Sequence, residues 1–321
     1  MQTVIVIGVL APLKLRSLAT GLLLAAPFAL AACGGAGESP TAEPAGDCPG
    51  TPVNVVVSVD QWGDIVKELG GACAKVTTVL AGSSVDPHDF EPSPADAAKF
   101  QGAQLVVING GHYDEWASKL AQSTAPNAIV ISAVSATGED GHDHAINPHA
   151  WYSPTAVTGV ADAVTEELSQ LAPETKDYFA QRRAEFTNSM QPYRQLIADI
   201  KAKATGKRYA ATESVFDDMA AAVGLVNQTP AGYQAALSNH ADPSPADLHA
   251  FLGLLADRGV DVLIFNTQTE GSLPNQIRAA AESAGVPVVD ITETVAPGAD
   301  SFEAWQVDQL TALAKALQIQ P

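Results

Sequence analysis

The chain has 321 residues, 46% of them apolar and 17% charged, which is enough apolar material for packed interiors in two lobes of ordinary size and excludes a disordered chain. Its 17 basic and 36 acidic residues leave a formal net charge of −19, a surface that repels nucleic acid and anionic lipid and attracts cations.

The first element stands apart from the globular chain. Lys14 and Arg16 precede the apolar run LATGLLLAAPFALAAC, which closes on Leu30-Ala31-Ala32-Cys33. Small residues before a cysteine at the end of such a run have the form of a bacterial lipobox. Residues 1–32 are therefore expected to be a lipoprotein signal peptide, with Cys33 as the lipid anchor that holds the mature chain on the extracytoplasmic side of the cell membrane. The run is short for a membrane-spanning helix, and the polar GGAGESPTAEPAGD that follows reads as a tether over 33–50. The apolar MQTVIVIGVLAPL ahead of the charged pair is unusual for a signal and leaves a later translation start open. Cleavage removes Lys14 and Arg16 and no acid, leaving 15 basic and 36 acidic residues, a net of −21. Outside the reducing cytoplasm, Cys48 and Cys73 are expected to pair and tie the tether to the first lobe, the alternative being two free thiols.

From Val53 onward short β-rich runs alternate with amphipathic segments, the pattern of an α/β fold with parallel strands. A first lobe over 51–172 carries expected strands at 53–59, 76–80, 104–109 and 128–132. Helices are expected in QWGDIVKELG, in SPADAAKFQ with Ser93 at the N-cap, in YDEWASKLAQ and in the Ser-Pro-initiated SPTAVTGVADAVTEELSQLA. A linking spine helix is expected over 173–205, with apolar positions at Phe179, Phe186, Met190, Ile197 and Ile200. Pro192 should kink it rather than end it, and about thirty helical residues span on the order of 45 Å. The second lobe, 206–321, repeats the alternation. Strands are expected in KRYAATE, VDVLIFNT and VPVVDIT, and helices in SVFDDMAAAVG closed by Gly224, PADLHAFLGLLADRG closed by Gly259, LPNQIRAAAESAG and SFEAWQVDQLTALAKALQ. The fold class is thus two α/β lobes, each a mostly parallel sheet flanked by helices. In such sheets ligands bind beyond the carboxyl ends of strands, so chemistry is sought in the residues just after them.

Two histidines lie in such places. His88 sits in VDPHDFEPSPAD, where Pro87, Pro92 and Pro94 restrict the loop, and His149 sits in NPHAWYSP before the next helix. Both have the form Pro-His-x-aromatic. DPHDFEPSPADAAKF, NPHAWYSPTAV and ATESVFDDMAAAVGL resemble the ligand-bearing segments of the substrate-binding receptors for zinc and manganese that serve ATP-driven (ABC) uptake systems. The resemblance spans roughly residues 53–318. It implies a divalent metal ion bound between two lobes by His88, His149 and Glu213, with a fourth ligand after the last strand. There VPVVDITET offers Glu293, aligned with the family's usual aspartate, and Asp290, which can instead simply end its strand.

Two imidazoles and two carboxylates form a mixed nitrogen and oxygen set suited to a borderline or hard divalent ion. Glutamate at the third position points to manganese; the GEDGHDH segment with His142 and His144, and the general affinity order, point to zinc, the favoured ion. The segment can equally be an acidic surface loop. His112 follows a strand and can border the site, whereas His240 and His249 read as surface or capping residues, and Trp62, Trp116, Trp151 and Trp305 as packing. The resemblance also implies no enzyme activity and no catalytic cofactor, an ABC permease as partner, no nucleic acid and a monomer. HExxH, GxSxG and P-loop patterns are absent from the sequence, so a metal-dependent hydrolase has no motif to support it. A surface adhesin on the same fold has no feature of its own.

Overall fold

The computed structural model describes residues 47–82, 90–137, 147–238, 241–269 and 271–320. The expected signal peptide, Cys33 and most of the tether lie outside these residues, as do His88, His142, His144 and His240. Among the described residues no helix is long and apolar enough to cross a membrane.

The first lobe is built on β1 (Val53–Val59), β2 (Ala74–Leu80), β3 (Leu105–Ile108) and β4 (Ile129–Ser132), arranged β2-β1-β3-β4 with every pairing parallel. The central strands are apolar on both faces, because helices cover both sides of a parallel sheet. All four residues of β3 are buried, while the edge strand β2 alternates between half-buried and exposed over most of its length. Helices α1 (Asp60–Gly70), α2 (Pro94–Lys99), α3 (Glu115–Thr124) and α4 (Pro154–Leu171) flank the sheet. Ser93 caps α2 in a reciprocal box with Asp96, and Ser153 caps α4 ahead of Pro154. Gly63 lets α1 lie against β2: a Cβ there would stand 2.4 Å from Thr78 Oγ1.

The spine is a 3-10 turn at Pro173–Thr175 followed by α5 (Lys176–Ser189) and α6 (Gln191–Ala204), divided at the single residue Met190. Pro192 has no N–H for the carbonyl of Asn188, so the helix bends there. The ladder resumes at once: Met190 N–H donates to Phe186 O at 3.1 Å, and Arg194 N–H donates to Met190 O at 3.1 Å. A stripe of Phe179, Phe186, Met190, Tyr193, Leu196 and Ile200 is buried along it, with Ile197 half-buried at its margin.

The second lobe repeats the first with β5 (Arg208–Ala211), β6 (Val226–Asn227), β7 (Val262–Asn266) and β8 (Val288–Ile291) in the order β6-β5-β7-β8, again all parallel. Its helices are α7 (Asp217–Ala222), α8 (Ala231–Ser238), α9 (Pro245–Ala256), α10 (Ser272–Ala284) and α11 (Phe302–Ala316). α5 packs on α1 and α4 of the first lobe and α6 on α11 of the second. One apolar core passes through both lobes, joining Val57, Trp62 and Tyr152 to Phe216, Ile264 and Trp305. Cys48 and Cys73 are disulfide-bonded, which joins the segment before β1 to the 3-10 turn after α1.

In each lobe the chain leaves the first strand toward one edge and returns on the other side. The crevice beyond β1 and β3, and its counterpart beyond β5 and β7, are the topological switch points where such sheets hold ligands.

Candidate functional site

The segments that follow these strands meet at the seam. Tyr152, three residues after His149, has its hydroxyl 2.7 Å from the carbonyl oxygen of Thr292 and 2.7 Å from Gln309 Oε1, and its ring meets Phe216 edge-on at 5.1 Å. Gln61, at the exit of β1, donates from Nε2 to the carbonyl of Glu293 at 2.5 Å. Asp60 accepts the Gly82 N–H at 2.8 Å and, across the seam, the Val295 N–H at 3.4 Å. Burial holds the Asp60 carboxyl above the usual carboxylate range against those two bonds.

His149 is buried and positioned by two asparagines. Asn109, just past β3, receives the Trp62 indole N–H at 3.0 Å on its oxygen, and its amide donates to the Pro148 carbonyl at 2.6 Å. The backbone there turns through Gly110, Gly111 and His112, all at positive φ, and wraps Asp114 so that its carboxylate accepts the Asn109 and Gly110 N–H groups. Asn147 then sets the imidazole itself. Its amide donates to the Ser214 carbonyl at 3.0 Å, so its oxygen faces His149 and accepts from both the backbone N–H and ring Nδ1, at 3.2 and 2.7 Å. An oxygen acceptor on Nδ1 requires the proton there, so in the neutral ring the lone pair is on Nε2, the nitrogen that faces Glu293 across the seam. Trp151 packs edge-on against the ring at 5.4 Å.

The carboxylates come from the second lobe. Glu213 follows β5 and is half-buried, while Glu293 follows β8 and is buried. Asn266, the last residue of β7 and itself buried, donates from Nδ2 to Glu213 Oε2 at 2.6 Å and to Glu293 Oε1 at 2.7 Å. The other oxygen of Glu293 lies 3.8 Å from His149 Nε2 and accepts from the Tyr113 hydroxyl at 3.4 Å. Gln268, two residues beyond Asn266, receives the Glu293 and Thr294 N–H groups on its side-chain oxygen at 2.6 and 3.0 Å, which fixes the loop that presents the carboxylate.

Of the four residues expected at the site, His149 faces Glu293 at 3.8 Å and Glu213 shares the Asn266 amide with Glu293, while His88 lies outside the described residues. Among the described residues alone, no three His, Cys, Asp or Glu side chains form a group able to hold an ion; an amide stands between the two glutamates. Asp290 is elsewhere: exposed on β8, it pairs with Arg278 at 2.5 Å, and that guanidinium covers the Phe265 ring at 4.8 Å. His112 does not border the site; its side chain is 91% exposed and bonded to Glu115. His249 is exposed, and of the four tryptophans Trp62, Trp151 and Trp305 are buried and Trp116 half-buried. The sequence reading missed Asn147, Asn266, Gln268, Gln61 and Tyr113. Their one signal is position, on or within a few residues of a strand's carboxyl end or beside the Pro-His pair.

Over residues 55–316 the chain matches the family described as ZnuA, zinc-uptake complex component A, periplasmic. It is similar to the high-affinity zinc uptake system protein ZnuA of Bacillus subtilis, 27% identical over 281 residues that cover 81% of this chain and 85% of that protein. It is 24% identical over 285 residues to the zinc-binding lipoprotein AdcA of Streptococcus pneumoniae, and the match spans 55% of that longer protein. The fold matches a manganese complex of FpvC from Pseudomonas aeruginosa with a TM-score of 0.68 at 20% identity, over 84% of this chain and 99% of that one. It also matches a cadmium-bound periplasmic metal-binding protein from Candidatus Liberibacter asiaticus with a TM-score of 0.66 at 18% identity, over 83% and 99%. At these identities the two structures speak to the fold alone.

Proposed function

Because the chain belongs to the zinc-uptake complex component A family, we propose that it is an extracytoplasmic receptor that binds zinc between its lobes and delivers it to an ABC permease for import. It is a carrier and not an enzyme. His88 and His149 of the first lobe and Glu213 and Glu293 of the second are the proposed ligands, and Cys33 the proposed lipid anchor of a monomer on the outer face of the membrane. The domain boundaries remain as read from the sequence: signal 1–32, tether 33–50, lobes 51–172 and 206–321, spine 173–205.

The observation that carries the reading is a buried imidazole facing a buried carboxylate at the carboxyl ends of two parallel sheets, His149 Nε2 lying 3.8 Å from Glu293 Oε2, with Glu213 bonded to the same Asn266 amide as Glu293. Neutral imidazole and carboxylate ligands suit zinc, with bonds of about 2.0–2.2 Å, and the two negative charges offset the ion's own. The shared core and the tethered spine restrict the lobes to small relative movements. Ion occupancy and lobe contact are linked because each lobe donates half of the ligands, and docking on the permease releases the ion by favouring a looser seam.

Metal analysis of protein purified without added ions, followed by competition between zinc and manganese, tests the reading. Zinc should be retained and should displace manganese; a protein that binds neither ion refutes it, and one that prefers manganese leaves the receptor but replaces its cargo. Substituting His88, His149, Glu213 or Glu293 by alanine should weaken binding by orders of magnitude. His142→Ala with His144→Ala should instead slow loading and leave affinity nearly unchanged.

A further inference from the structure

The amide of Asn266 is placed to do more than fill space between two glutamates. Its orientation is chemically fixed: Oδ1 accepts the Gln268 backbone N–H at 3.0 Å, so the nitrogen, which has two protons and no lone pair to offer a metal, faces the carboxylates. Those two protons go one to each, to Glu213 Oε2 at 2.6 Å and Glu293 Oε1 at 2.7 Å. The main-chain N–H of Asn266 is held in turn by Thr212 Oγ1 at 3.1 Å, and the residue closes a strand whose five positions are all buried. The donor is thus rigid, and charge-assisted bonds of this kind are among the stronger ones in proteins.

We propose that Asn266 is a specificity-determining positioning residue that restricts Glu213 and Glu293 to one ligating oxygen each. A carboxylate binds an ion through both oxygens only if both turn toward it. Here one oxygen of each is committed to the amide, and for Glu293 the other is the one that faces His149. With the two imidazoles of the proposed ligand set, two one-oxygen carboxylates would make four donors, the number zinc favours. Manganese is a harder ion that gains from additional oxygens, and it loses the two that Asn266 withholds. The amide thereby sets coordination number through geometry and adds to the preference for zinc that the general affinity order already gives. The inference rests on the metal-receptor reading above and adds a determinant of choice between ions.

The test uses the whole mature chain loaded with cobalt(II), whose visible absorption separates four-coordinate from higher-coordinate sites, together with zinc and manganese dissociation constants. The parent protein should give the intense four-coordinate spectrum. Asn266→Ala should shift it toward the weaker spectrum of a five- or six-coordinate ion and lower the preference for zinc over manganese by roughly 10- to 100-fold, the usual scale for residues that orient ligands. Asn266→Ser, smaller but polar, should give the same shifts and serves if the alanine variant fails to fold. An unchanged cobalt spectrum and an unchanged ion preference in a folded variant overturn the proposal. So does a higher-coordinate spectrum in the parent, a result that leaves the receptor reading standing. Failure of the parent to bind any of the three ions overturns both.

Discussion

The hydroxyl of Tyr152 lies 2.7 Å from the carbonyl oxygen of Thr292, so the segment that carries His149 is bonded to the residue immediately before Glu293. Burial, with the Glu293 charge nearby as a smaller cause, holds this phenol far above its ordinary pKa, and it stays a donor at every pH the protein meets. Tyr152→Phe keeps the ring and removes the hydroxyl from the Thr292 carbonyl, while Gln309 Oε1 keeps the Thr292 N–H. The expected cost is about 1–3 kcal/mol of stability, read as a lower melting temperature, with a loss of zinc affinity smaller than that of His149→Ala. A variant with parental stability would show that the bond contributes little at the seam.

Glu293 and Asp290 are separated by substitution. Glu293→Gln should lower zinc affinity by orders of magnitude. Asp290→Asn breaks an exposed pair with Arg278 and should change stability by no more than about 1 kcal/mol and zinc affinity not at all. Titration calorimetry on both variants decides the matter, and the reverse pattern would move the fourth ligand to Asp290.

The bond between Cys48 and Cys73 closes a segment with a sequence separation of 25. Replacing both cysteines by serine should cost about 2–4 kcal/mol in chemical denaturation. Metal affinity should be preserved, because the bond joins the segments that enter β1 and β2, whereas Glu213 and Glu293 follow the carboxyl ends of their strands.

Glu68 of α1 gives the fold a pH dependence. Burial raises its pKa most, the charge of Glu303 on α11 next and Glu185 less, while the Ser189 hydroxyl, donating at 2.9 Å, and Arg182 lower it. Because the folded chain holds this proton more tightly than the unfolded one, whose carboxyl has the ordinary value of 4.5, the contribution is most favourable below that pH and is lost as pH rises toward the raised value. Burial shifts Asp60, Asp114 and Asp217 in the same direction. Glu68→Gln retains an acceptor for Ser189 and removes the charge. Melting temperatures measured from pH 4.5 to 7 should fall less steeply in the variant than in the parent; parallel curves would rule the pair out as a source of the dependence.

Much of this was legible in the sequence where one strong local cause acts. Val-rich runs such as VNVVVSV are buried from both sides and announce central strands, Ser-Pro pairs announce helix starts, and Pro192 announces the bend in the spine. β6 was missed because it has only two residues, and α8 because its short sequence, AGYQAALS, has little amphipathic contrast. After α9 the left-handed residue is Arg258, not Gly259; that glycine is required instead by Leu254, whose side chain would meet a Cβ at 2.3 Å. Strand alternation, seen only once register is known, turns Asp290 outward beside Arg278. At the site, the histidines stood out because proline and aromatic neighbours mark them. The amides that orient them carry no motif, since an asparagine's role depends on what the fold brings within about 3 Å of it.

The apolar core that runs unbroken from one sheet to the other bears on how the molecule comes apart. Neither half can lose its packing without uncovering large side chains such as Tyr152, Phe216 and Trp305, which the other half shields. In a calorimeter the two halves should therefore melt in a single cooperative transition, and a cation bound at the seam should raise that one temperature for both.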